Sequence, residues 1–146
     1  MYKSYLSYFW ANNDATREAL GIKKGSVDEW VRCRTGGLPS TNHDIKSSIK
    51  YHRNVTLKGY RSLVYSGDHD VVVPFLGTQA WVRSLNFSIV DDWRAWHING
   101  QSSGFTITYS NNKTFATIKA GGHTAPEYQP ERCFAMIKRW ISENPL

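Results

Sequence analysis

The stretch Tyr65-Ser66-Gly67-Asp68-His69-Asp70-Val71-Val72-Val73-Pro74 decides how the chain is read. Leu63-Val64-Tyr65 has the character of the end of a buried strand, and Gly67 permits the sharp exit that such a strand needs before a loop. Asp68, His69 and Asp70 follow at once. In open α/β sheets, sites form just beyond the carboxyl ends of strands, so a carboxylate here points into a cleft. A solvated turn uses the same residue types, since Asp and Gly are the commonest turn formers. The flanking sequence separates the two readings.

Downstream, Pro74-Phe75-Leu76-Gly77-Thr78-Gln79-Ala80-Trp81-Val82-Arg83-Ser84-Leu85 opens with proline at a helix entry and carries apolar residues at helical spacing. Strand, carboxylate loop and helix in succession is the α/β pattern. Three runs rich in aromatics, Thr and Ile follow as strands: Trp93-Arg94-Ala95-Trp96-His97-Ile98, Gly104-Phe105-Thr106-Ile107-Thr108-Tyr109 and Thr114-Phe115-Ala116-Thr117-Ile118-Lys119. Asn-Gly and Asn-Asn turns separate them. The last run ends in Ala120-Gly121-Gly122-His123-Thr124-Ala125-Pro126. A closing helix over residues 130–142 is expected to place Phe134, Ile137 and Ile141 on one apolar face. Upstream, Asn13-Asp14-Ala15-Thr16-Arg17-Glu18-Ala19-Leu20 reads as a capped helix stopped by Gly21. Residues 27–33 form a short mixed segment, and residues 35–42 a loop. Residues 44–57 are expected to be helical on the sparse anchors Ile45, Ile49 and Leu57.

With 146 residues, 40% of them hydrophobic and 14% aromatic, the chain supports one core and is too small for two. The net charge is +6 and the pI about 9.4, yet Lys and Arg are scattered, which describes a solvated surface and argues against nucleic acid as a partner. No stretch has the roughly 18 consecutive apolar residues of a membrane span, and residues 1–10 lack the aliphatic run and small-residue cleavage site of a secretory signal. Asn54-Val55-Thr56, Asn86-Phe87-Ser88 and Asn112-Lys113-Thr114 are glycosylation acceptors by pattern and hint at a secretory history. Cys33 and Cys133 neither form a CxxC nor lie close in sequence, so they define no metal site; they could pair, stay reduced or await other partners. No phosphate loop or cofactor motif occurs, and no cofactor is expected.

Twice, then, a strand ends in a glycine turn that presents a titratable group, first Asp70 and then His123. A general-base histidine is held in one tautomer by a carboxylate behind it, and the α/β-hydrolase order places that acid before the histidine. A lone Gly-Gly-His is also compatible with a structural histidine. Gly100-Gln101-Ser102-Ser103-Gly104 matches Gly-x-Ser-x-Gly, but a nucleophile elbow lies between a buried strand and a helix and precedes the acid. Ser102 follows Asp70 and is flanked by β-type runs, so it reads as part of a hairpin turn.

The blocks Tyr65-Ser66-Gly67-Asp68-x-Asp70, Trp93-x-x-Trp96-x-x-x-Gly100-Gln101-x-x-Gly104 and Phe115-Ala116-Thr117-Ile118-Lys119-x-Gly121-Gly122-His123-Thr124-Ala125-Pro126, with the helix from Pro130-Glu131 to Trp140, together resemble the C-terminal part of plant serine carboxypeptidase-like proteins. Asn12-Asn13-Asp14-x-x-Arg17-Glu18-Ala19-Leu20 and Trp30-x-x-Cys33 fit the same family, so the resemblance spans nearly the whole chain. It implies an α/β hydrolase with a Ser-Asp-His triad, of which residues 1–146 form the C-terminal part of a single domain with an incomplete sheet. Asp70 is then the acid, with Asp68 as runner-up, because the family places the acid three residues after the turn glycine. His123 is the base.

The family's serine sits in a Gly-Asp-Ser-Tyr-x-Gly elbow upstream, and these residues contain no such sequence. The resemblance therefore implies a missing N-terminal part that carries the nucleophile, the usual partner of Cys33 and the secretory signal. The parent protein is expected in the secretory pathway, vacuolar or extracellular. Half a doubly wound sheet leaves apolar faces and an edge exposed, so the isolated chain is expected to fold poorly or aggregate. Within the family, His-Thr-Ala after Gly121-Gly122, with Val90-Asp91-Asp92-Trp93, resembles the branch that transfers acyl groups from a glucose ester to an acceptor. Hydrolysis of C-terminal peptide bonds is the alternative, and an inactive truncated or docking fragment is a third reading from another class.

Overall fold

A computed structural model of the chain describes residues 2–32 and 45–146, with side chains from residue 5 onward. Cys33, the loop at 35–42 and the first residue of the helix expected over 44–57 lie outside the described residues. The chain divides into two compact units, Met1–Asp44 and Ile45–Leu146.

The first unit carries α1 (Tyr2–Asn12) and α2 (Asp14–Ala19). Asn13 caps α2 by accepting from the Thr16 N–H at 3.2 Å, and Gly21 leaves it at φ +70°, so the cap and glycine stop expected from sequence are both present. The Arg17 guanidinium donates to Asn12 Oδ1 and to the carbonyls of Ala11, Val27 and Asp28. Asn12 also exchanges hydrogen bonds with the Trp30 backbone. These two side chains tie residues 27–30, which form no regular element, across the helix pair.

The second unit is a mixed α/β layer. It comprises α3 (Ile49–Leu57), β1 (Ser62–Gly67), α4 (Phe75–Arg83), β2 (Ile89–Ile98), β3 (Gln101–Tyr109), β4 (Lys113–Ile118), α5 (Ala125–Tyr128) and α6 (Pro130–Ile141). The open sheet has the order β1-β4-β3-β2. β1 runs parallel to β4, with Gly67 opposite Ile118, while β2–β3 and β3–β4 are antiparallel. The two hairpins follow from their asparagines. Asn99 and Gly100 stand at φ +49° and +75°, and Asn111 and Asn112 at +63° and +57°, the left-handed pairs whose twist suits a hairpin. β4, with a neighbour on each side, is buried along its length except at the half-buried Thr114. Trp96, Ala116 and Ile118 pack with Ala125, Cys133 and Met136 on one face; Ile107, Tyr109 and Phe115 pack with Val82 on the other. Each fully buried Val, Ile, Phe or Met side chain among them contributes about 1.5–3 kcal/mol over its exposed state.

Two expectations about helices need correction. α6 forms where expected, but it turns Cys133 and Met136 into the core; Phe134 is 70% exposed and Ile137 and Ile141 also face outward. The helix carries two apolar stripes, and only the sheet it packs on selects one. α3 begins at Ile49, later than residue 44, and its buried residue is Thr56, with Ile45 and Leu57 exposed.

Lys113, at the start of β4, is wholly buried. Its ammonium donates to Ser62 Oγ at 3.1 Å and lies 5.7 Å from the Trp81 ring centre. Burial pushes its pKa below the ordinary lysine value. Burial, with the Lys113 charge as a lesser cause, also lowers that of His52, whose ring packs against Trp81. The unfolded chain thus holds the Lys113 proton more tightly than the folded one, so this group destabilises the fold at neutral pH and ceases to do so as pH rises toward about 10.4. Lys113→Met is expected to raise the thermal midpoint at pH 7, with a gain that shrinks at alkaline pH; a loss of stability at every pH contradicts this.

Candidate active site

The site is built from the two loops that leave the carboxyl ends of β1 and β4. After Gly67 the chain turns through a 3.3 Å bond from the Asp70 N–H to the Gly67 carbonyl. Asp70 Oδ1 then accepts from the Val72 and Val73 N–H groups at 2.8 and 3.0 Å. Its side chain is 7% exposed. These bonds, that from Val73 foremost, hold the Asp70 carboxyl below the usual aspartate range, and His123 adds to the effect against an opposing contribution from burial. Asp70 is therefore an anion fixed by its own loop before any partner is considered.

The partner comes from the turn after β4. His123 Nδ1 lies 2.9 Å from Asp70 Oδ2. A carboxylate offers only acceptors, so the proton of this bond sits on Nδ1 and Nε2 carries the free lone pair. The imidazole is about half exposed, with α5 starting two residues on. Thr124, between them, donates to Glu127 Oε2. This arrangement presents an oriented imidazole at the surface of the unit.

Glycines let the two loops meet. A Cβ built on Gly67 would stand 2.2 Å from the Gly121 carbonyl oxygen, and one on Gly122 would stand 3.0 Å from the Tyr128 ring. The loops are joined by the Asp68 N–H to the Ile118 carbonyl and the His69 N–H to the Gly121 carbonyl. Asp68 Oδ1 accepts from the Ala120 N–H at 2.6 Å.

The remaining sequence candidates fall elsewhere. Asp68 binds the Ala120 backbone, and Asp70 alone of the two carboxylates bonds to His123. Ser102 lies in β3, paired opposite His97, just after the Asn99-Gly100 turn. Asn54, Asn86 and Asn112 are all exposed. Cys133 is a buried free thiol whose pKa burial raises. A groove of about 600 Å³ runs from Asp68 and His69 past Phe75, Leu76, Trp93 and Phe105, and neither Asp70 nor His123 lines it. Sequence reasoning missed the Val72 and Val73 donors and the Asp68–Ala120 bond. An Asp two and three residues before loop N–H groups signals the first, through the common Asx turn; nothing in the sequence signals the second.

A carboxylate and a histidine presented from adjacent parallel strand ends of an open mixed sheet define part of an α/β-hydrolase fold. The family model for serine carboxypeptidase matches residues 1–143. The chain belongs to the serine carboxypeptidase family. It is similar to serine carboxypeptidase-like 13 of Arabidopsis thaliana, 57% identical over the whole chain and 34% of that protein, and to serine carboxypeptidase-like 7, 56% identical over 33% of its length. A shorter protein of the same plant, provisionally named serine carboxypeptidase-like 52, is 56% identical over 97% of this chain and 75% of its own. The chain thus spans about a third of the length of the first two curated relatives.

The glycine contact yields a direct test. Gly67→Ala forces a methyl group onto the Gly121 carbonyl, so it is expected to cost about 2 kcal/mol or more of stability, among the larger single-residue effects. A denaturation midpoint unchanged from wild type contradicts the close approach.

Proposed function

We propose that Asp70 and His123 are the acid and base of a serine-nucleophile acyl-transfer enzyme, with the serine supplied by sequence outside these 146 residues. The observation that carries this reading is the 2.9 Å bond from His123 Nδ1 to a carboxylate already held ionised by two backbone N–H groups. In this mechanism Asp70 keeps the proton on Nδ1 and stabilises the imidazolium that forms. His123 Nε2 takes the hydroxyl proton as the serine oxygen attacks the acyl carbon, then gives it to the departing group. In the second half, Nε2 takes the proton of the incoming O–H as that oxygen bonds to the acyl carbon, the acyl–serine bond breaks, and Nε2 returns a proton to the serine oxygen. Such proton transfer contributes about 10² to 10⁴ in rate.

The incoming O–H is water in a carboxypeptidase and an acceptor hydroxyl in an acyltransferase; the same pair serves both. The block His123-Thr124-Ala125 favours transfer from a glucose ester to a small-molecule acceptor, with a peptide substrate as the alternative. The three exposed sequon asparagines support a glycoprotein of the secretory pathway, vacuolar or extracellular. An inert fragment is the reading that a negative result would favour.

The test uses the complete natural polypeptide and a serine-directed fluorophosphonate. Wild type is expected to label, and Asp70→Asn, which sets an amide against Nδ1, to slow labelling by up to about 10⁴-fold. Equal labelling of wild type, Asp70→Asn and His123→Ala contradicts the assignment. With a glucose ester as donor, ester product in the presence of an alcohol supports transfer; free acid alone, with cleavage of a C-terminal residue from a peptide, supports hydrolysis. Treatment with an N-glycosidase is expected to lower the apparent mass of protein taken from plant tissue, and an unchanged mass counts against the secretory route.

A further inference from the structure

We propose that Asp68 is a positioning residue for the acid–base pair: its carboxylate holds the 118–123 turn in the register that brings His123 to Asp70. The proposal rests on the reading of that pair given above. Besides the His123–Asp70 bond itself, three hydrogen bonds cross between the loop after β1 and the turn after β4. Two are backbone to backbone, from Asp68 N–H to the Ile118 carbonyl at 3.1 Å and from His69 N–H to the Gly121 carbonyl at 2.9 Å. Any residues at 68 and 69 other than proline would supply them. The third and shortest is the 2.6 Å bond from the Ala120 N–H to Asp68 Oδ1. It alone depends on the side chain at 68.

Its donor is the unusual residue of the turn. Ala120 stands at φ +58°, a left-handed conformation that a residue with a Cβ adopts only at a cost. The turn therefore sits where alanine does not settle unaided, and it is held from several sides. Gly121 N–H bonds back to the Ile118 carbonyl at 3.1 Å, and Lys119 N–H reaches the Ser103 carbonyl at 2.9 Å. Gln129 Nε2 donates to the Ala120 carbonyl at 3.2 Å. With Asp68 on its N–H and Gln129 on its carbonyl, Ala120 has both backbone polar groups clamped. Removing the Asp68 carboxylate strips a part-buried N–H of its acceptor and frees the residue to relax toward the right-handed region. His123 follows three residues later. Among the described residues its ring has one hydrogen-bond partner, Asp70, so the position of the imidazole follows that of the turn.

An acceptor oxygen does this work; the charge does not. That distinguishes Asp68 from a second catalytic acid, because its Oδ1 is directed to the Ala120 backbone. Among the described residues its ionic neighbour is the exposed His69, at a loose 3.8 Å.

The experiment uses the complete natural polypeptide and two readouts. The first is the downfield proton resonance of His123 Nδ1–H, which reports the bond to Asp70 without reference to activity. The second is the rate of fluorophosphonate labelling. Asp68→Ala is expected to lose or broaden the resonance and to slow labelling about tenfold or more, while Asp68→Asn, which keeps an oxygen at the same reach, restores the resonance and brings labelling to within about threefold of wild type. A folded Asp68→Ala with the wild-type resonance overturns the proposal, as does a folded Asp68→Asn that loses it. Should Asp68→Ala fail to fold, Asp68→Asn decides alone by the same criterion. A wild type that shows the resonance but never labels defeats the catalytic reading of the pair, while the three resonances still judge Asp68.

Discussion

The contact between Gly67 and the Gly121 peptide is the constraint on which the site depends. β1 and β4 are parallel neighbours whose last paired residues are Gly67 and Ile118, and the chains that leave them must run side by side before they diverge. With 2.2 Å between a hypothetical Gly67 Cβ and the Gly121 oxygen, no other residue at 67 permits that approach. The absence of a side chain is what matters here, since Gly67 is not in the left-handed region. Once the loops touch, backbone hydrogen bonds fasten them and the acid and histidine are within reach.

The same unit treats its two notable charges in opposite ways. Asp70 is shielded from solvent yet kept ionised, because backbone dipoles and His123 replace the water it loses. Lys113 is buried with a hydroxyl and an aromatic face in place of a carboxylate, and its charged form is disfavoured. A carboxylate with three good donors suits a role that needs a fixed anion. The lysine gives the sheet a weak point whose strength depends on pH.

Much of this was legible in the sequence, for identifiable reasons. Asn-Gly and Asn-Asn pairs have few uses other than left-handed turns, so the hairpins could be placed; Asn13 and Gly21 mark helix ends by chemistry local to them. The strand-end glycines pointed to the loops that carry Asp68, Asp70 and His123, and the family resemblance preferred Asp70 to Asp68. What failed was decided by tertiary contact. Phe134, Ile137 and Ile141 have sound helical spacing, but Cys133 and Met136 have it too, and the sheet took the smaller pair. α1 passed without a helical reading because its tyrosines and serines show no clear apolar stripe. Lys113 looks like any turn-flanking lysine until β1, β4 and α4 close around it. The bond from Ala120 N–H to Asp68 joins residues 52 positions apart, which no local pattern encodes.

Many large apolar side chains remain at the surface, among them Val71, Val72, Leu76 and Phe134, and β1 is an edge strand among the described residues. The two longer Arabidopsis relatives, serine carboxypeptidase-like 13 and 7, are about three times as long. The site depends on Asp70 as an anion prepared by its own loop, and the carboxyl-carbon NMR titration of Asp70 tests that most directly. The predicted result is a midpoint below the ordinary aspartate value of about 3.9, and one still below it when His123 is replaced by alanine, because the Val73 N–H, the largest single cause, remains. A midpoint at or above the ordinary value would contradict it.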